Sequence, residues 1–138
     1  MKTLDTPLAI LCYNDDVMMV DAKPVDMELE GFRDLLSTAI ELAERKPYYC
    51  IVDLRKLNYA APETRSCYAE KFFLEYRIAD ALVVNSLPLR LLANFYIRVN
   101  KPAIPTRMFN DVDKAKDWIE GLKKIKQMNY ESVNSHQS

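Results

Sequence analysis

The stretch Tyr48-Tyr49-Cys50-Ile51-Val52-Asp53-Leu54-Arg55 constrains this chain more than any other. It is a short apolar run rich in aromatic and β-branched residues, entered from Pro47 and ending in charge. It lacks the alternation of a strand with one wet face, so it predicts a strand covered on both sides, as in parallel α/β sheets. Asp53 and Arg55 then fall near its C-terminal end, where open α/β sheets carry their working surface.

The neighbouring segments fit that frame. Leu8–Tyr13 and Val17–Val20 read as strands joined through Tyr13-Asn14-Asp15-Asp16, a hairpin signal. Asp26 is positioned to cap a helix reaching about Lys46, with Phe32, Leu35, Leu36, Ala39, Ile40 and Ala43 on one face. After the 48–55 strand, Pro62 and Glu63 open a second helix that runs to about Arg77. Ala79–Val84 is the next strand, and Ser86 the N-cap of a third helix reaching about Val99. Thr106–Phe109 is a last strand. Asn110 or Asp111 then caps a final helix that buries Val112, Ala115, Trp118, Ile119, Leu122 and Ile125. The order β-β-α-β-α-β-α-β-α predicts an α/β fold: a five-stranded, mostly parallel sheet with an N-terminal hairpin and helices largely on one face. Residues 1–127 form one domain, and 128–138 read as a polar, disordered tail.

The third helix is apolar around most of its circumference, with only Arg90, Asn94 and Arg98 as a polar stripe. Such a helix is buried in a core or at an interface. Leu89, Phe95 and Tyr96 are the interface candidates, and a homodimer is the simplest arrangement.

Several function classes are disfavoured. With 19 basic and 20 acidic residues, the chain offers no net field to nucleic acid. The only histidine is His136, which removes His-dependent nucleophile schemes and most zinc sites. The only glycines, Gly31 and Gly121, cannot make a phosphate-binding loop. No metal and no cofactor is expected, and neither is catalysis. Cys12, Cys50 and Cys67 lack metal or redox spacing and read as reduced thiols, so the cytoplasm is the expected compartment.

What is left is a polar rim. Asp53, Arg55, Arg65, Asn85, Ser86 and Arg90 are candidates to hold a small anion beside helix N-termini. The plainer alternatives are an Asp53–Arg55 ion pair and a capping role for Ser86. Tyr59, Tyr68 and Tyr76 either line an apolar pocket or belong to the core.

Several segments also carry a resemblance: Val52-Asp53-Leu54-Arg55, Ala79-Asp80-Ala81-Leu82-Val83-Val84-Asn85-Ser86, Leu89-Arg90-Leu91-Leu92-Ala93-Asn94 and Pro102-Ala103-Ile104-Pro105-Thr106-Arg107-Met108-Phe109-Asn110-Asp111, with Ala115 and Trp118. Together they resemble the SpoIIAA-like, STAS-like domains, in particular uncharacterised bacterial members. The resemblance implies a non-enzymatic regulatory or binding module working through protein–protein contacts, with a phosphoacceptor at the start of the second helix. Thr64 and Ser66 are the hydroxyls there. The other expectation is a small anionic or lipid-like ligand at the rim.

Overall fold

The computed structural model describes residues 1–136, with side chains as far as Val133. In chain order the elements are β1 (Lys2–Asp5), β2 (Ala9–Asn14), β3 (Val17–Ala22), β4 (Asp26–Met27), α1 (Leu29–Leu42), β5 (Tyr48–Asp53), β6 (Tyr59–Ala60), α2 (Pro62–Tyr68), α3 (Lys71–Leu74), β7 (Arg77–Val83), α4 (Leu87–Phe95), β8 (Thr106–Phe109) and α5 (Val112–His136). A π-helical turn, Tyr96–Asn100, prolongs α4.

The main sheet runs β1-β2-β3-β5-β7-β8, antiparallel across β1 to β3 and parallel from β3 to β8. β5 lies between parallel neighbours, as its unbroken apolar run predicts. The β2–β3 turn places Asp15 and Asp16 at φ 51° and 64°, the left-handed pair that suits a tight hairpin. The sheet has six strands rather than five: Lys2–Asp5 adds an exposed edge strand too polar and short to announce itself. Asp26 does not cap α1. It lies in β4, which pairs with β6 in a separate two-stranded parallel ribbon, and Glu28 stands at the helix start.

The crossovers decide where the helices go. From β3 through β8 each parallel step moves to the next position in the same direction. Right-handed connections therefore stack α1, α2 and α4 on one face. α5 follows the last strand, is no crossover, and covers the opposite face, where Ala115 and Ile119 pack on Tyr49, Ile51, Ala79, Ala81 and Val83. It also continues through Met128 to His136, where a disordered tail was expected. Extending a formed helix adds a hydrogen bond per residue without a new nucleation cost, and Gln127 donates to Glu131 one turn on. Residues 137 and 138 lie outside the described residues.

A bulge in β7 has the largest consequence. Tyr48 pairs with Arg77 but Tyr49 pairs with Ala79, so Ile78 is an extra residue in the strand. Alternation alone would send Arg77 and Asp80 to opposite faces. The extra residue puts both on the face covered by α1, α2 and α4.

Candidate functional site: a cavity over a buried ion pair

Arg77 and Asp80 are buried at the base of that face. The Arg77 Nε donates to both Asp80 oxygens at 3.0 and 3.1 Å, and the Tyr68 hydroxyl donates to Asp80 Oδ1 at 2.9 Å. The remaining guanidinium nitrogens donate to backbone carbonyls, Nη2 to Tyr68 at 2.6 Å and Nη1 to Phe73 at 3.4 Å. These two bonds explain why one expected helix from Pro62 to Arg77 is two: carbonyls at the ends of α2 and α3 turn to the guanidinium. The Arg77 head also lies 3.5 Å from the centre of the Tyr68 ring. Burial pushes the Asp80 carboxyl up, against the pull of Arg77 and the Tyr68 hydroxyl, while Asp80 holds the Arg77 guanidinium charged despite its burial.

Above this cluster, between the sheet and α1, α2 and α4, is a cavity of about 90 Å³. Its walls include Leu35, Cys50, Leu82, Ala93 and Tyr96, and the β4–β6 ribbon closes one side with Met27 and Ala60. Tyr96 stacks 5.5 Å from Tyr68, and its hydroxyl is buried without a hydrogen-bond partner. It lies within reach of the Arg77 guanidinium without a well-formed bond to it, and burial, with the charge of Asp80 after it, raises its pKa against the pull of Arg77. Asn100, at the other end of the π-helical turn, likewise buries an unpartnered Oδ1. π-helical turns of this kind are frequent at functional sites.

The expected polar rim is not one site. Asp53 projects on the α5 side of the sheet, where it accepts from Arg55 Nε at 2.9 Å, from Nη2 at 2.8 Å and from the Arg55 backbone N–H at 3.1 Å. Burial opposes ionisation of Asp53, but these bonds outweigh it and hold the carboxyl below its usual range. Arg65 belongs to α2 on the other side of the sheet, lines the cavity, and lies 4.7 Å from the centre of the Phe95 ring. Arg90 lines a separate cleft of about 270 Å³ with Asn110 and Lys114. The sheet thus separates Arg55 from Arg65, so the three arginines do not converge. Ser86 caps α4 by accepting from the Leu89 N–H at 3.4 Å, and Asn85 is exposed.

Other candidates are redistributed by helix phase. Thr64 is buried and donates to the Ala61 carbonyl, so only Ser66 offers an exposed hydroxyl on α2. Of the interface candidates, Tyr96 faces the core, Leu89 is half-buried and Phe95 is exposed. The outward row of α4 is Leu87, Leu91, Phe95 and Val99, between 47% and 69% exposed. Tyr68 lines the cavity, Tyr76 packs against the core and Tyr59 is exposed. The two buried thiols are not activated: burial pushes Cys50 up to about 12 and raises Cys67 as well. Sequence reasoning missed Arg77, Asp80 and the inward role of Tyr96. The available signal was Asp80 itself, a carboxylate inside an apolar parallel strand that has to find a buried cation.

The order of strands, the crossovers on one face and the closing helix on the other define a SpoIIAA-like α/β fold. The solved structure of an uncharacterised protein of the DUF3478 family from Shewanella loihica PV-4, described as having a SpoIIAA-like fold, is similar. Its TM-score is 0.53 at 12% identity, over 78% of this chain and 89% of that one. The chain belongs to the family described as domain of unknown function DUF7793, whose model matches residues 11–123. No match was found among curated proteins. Among the described residues, no helix is long and apolar enough to cross a membrane, and no cluster of His, Cys, Asp and Glu has the arrangement of a metal site.

Proposed function

We propose that the protein is a non-enzymatic binding module of the cytoplasm that works through protein–protein contact across the outward face of α4. A second copy of the chain is the proposed occupant of that face. The observation that carries this reading is the exposed row Leu87, Leu91, Phe95 and Val99. These are four large apolar side chains at four-residue spacing, about 18 Å long at the helical rise. Soluble monomers seldom leave such a patch wet, and rows at this spacing interdigitate when two helices cross. A two-fold axis near the middle of the row would hold the two Arg98 side chains roughly 15 Å apart along the helices. That distance exceeds the screening length of about 8–10 Å at ordinary ionic strength, so the exposed cation does not oppose pairing. The raised pKa values of the buried Cys50 and Cys67 thiols speak against nucleophilic chemistry there, and free cysteines fit a reducing compartment.

The test is sedimentation equilibrium on the wild type and Leu91→Glu at tens of micromolar, with circular dichroism to compare folding. A wild-type dimer and a folded, monomeric variant are expected. A wild type that stays monomeric through that range rejects the second copy as occupant.

The Arg90 cleft favours a second reading, a small anion held at the rim by Arg90 and Lys114. Lys114 already contacts Asn110 at 3.3 Å and Asp111 at 3.8 Å, which weakens its claim.

A further inference from the structure

We propose that the cavity beneath α1, α2 and α4 binds a small neutral molecule, apolar over most of its surface and carrying one hydrogen-bond acceptor for the Tyr96 hydroxyl. This site is separate from the outward face of α4 and does not depend on what docks there.

Three observations carry it. The first is an internal space of about 90 Å³ with walls that are almost entirely hydrocarbon. The second is Tyr96, which lines that space, is 4% exposed, and has a buried hydroxyl that makes no well-formed hydrogen bond and has only the Arg77 guanidinium close by. An unpaired buried hydroxyl is costly and uncommon unless something completes it. The third is that three of the other polar side chains of the lining are already engaged. The Thr64 hydroxyl is bonded to the Ala61 carbonyl and the Tyr68 hydroxyl to Asp80; Arg77 is bonded to Asp80 and two backbone carbonyls. Arg65 is drawn toward Phe95.

That inventory separates a ligand from water. A buried water typically makes two to four hydrogen bonds, and polar atoms make up only a small part of this lining. A largely apolar molecule with one acceptor matches the inventory: the body takes the hydrocarbon walls and the acceptor takes the phenol. Size narrows the class further. The space is smaller than the roughly 150 Å³ that admits benzene in an engineered apolar cavity. It therefore suits a short aliphatic ketone, ether or alcohol smaller than benzene. The half-buried members of the lining, Phe32, Leu54, Ala60, Arg65 and Leu92, mark the way in.

The experiment uses the full chain and two probes of similar shape, both smaller than benzene: acetone with an acceptor and isobutene without one. Both are followed by NMR of the Leu35, Leu82 and Ala93 methyl groups. Saturable shifts with acetone are expected. Tyr96→Phe should weaken that binding by about fivefold, the worth of one net hydrogen bond, and leave isobutene within about twofold. No saturable shift up to tens of millimolar acetone, or equal losses for both probes, overturns the proposal. A ligand-free thermal melt gives an independent reading. Tyr96→Phe removes an unsatisfied group, so its midpoint should equal or exceed that of the wild type. A lower midpoint would mean that the hydroxyl already has a partner such as a fixed water, and would also overturn it.

Discussion

The two faces of the sheet solve the same burial problem differently. Under α5, Ala79 and Ala81 leave room for a single helix to sit close, and Ala115 and Ile119 are fully enclosed. Trp118 and Phe109 close the edge with ring centres 5.6 Å apart. On the other face, three helices brought in by successive crossovers meet over one patch of sheet. They leave a cavity, and the β7 bulge delivers a buried ion pair to its floor. Close packing is what one amphipathic helix on small residues achieves. A recess with fixed charges and spare hydrogen-bonding capacity arises where several elements must share a surface.

The largest expected effect lies at that recess. Asp80→Ala leaves Arg77 buried without its counter-charge and should destabilise by about 3–5 kcal/mol in urea unfolding. The double variant Arg77→Met, Asp80→Leu should recover most of that loss, because well-packed apolar replacements of buried pairs are often neutral or better. On the α5 face, Ile119→Ala should cost about 3 kcal/mol through lost contacts and a residual void. If Ile119→Ala proved costlier than Asp80→Ala, the contrast between a charge-dependent face and a packing-dependent one would collapse.

A smaller effect sharpens the comparison at the C-terminal edge of the α5 face. Asp53 has its carboxyl held low by Arg55, so its contribution is fully present above the unfolded-state pKa of about 3.9. It is lost as pH falls through the lower folded-state value. Unfolding midpoints measured from pH 6 down to pH 2.5 should therefore fall less steeply for Asp53→Asn than for the wild type. Parallel curves would mean that the Arg55 contacts are too exposed to matter.

Much of the fold was legible from local pattern. The unbroken run at 48–53 specified a strand buried on both sides, and Asp15-Asp16 specified the hairpin. The apolar periods of α1 and of α5 as far as Leu122 specified their inward faces, because helix and strand periodicities convert residue order directly into which side is dry; Ile125, expected on the buried face, is 56% exposed because α5 has run past the sheet there. The candidate site was legible only in fragments. Asp53 and Arg55 were identified as a pair, but their separation from Arg65 depends on the side of the sheet each reaches, and that requires three dimensions. Helix phase in α4 likewise took Tyr96 out of the interface and put it over the cavity.

The amino-acid sequence by itself therefore determined the types of the longer elements and most of their inward faces, which follow from short-range periodicity, and the parallel order, which follows from right-handed crossovers. Tertiary structure alone decided the inserted residue at Ile78 that brings Arg77 and Asp80 to one face, the break between α2 and α3, and the unpartnered phenol of Tyr96. The physical reason is that each is set by the register and hydrogen bonding of segments distant in the chain, where a one-residue shift reverses a side chain's direction.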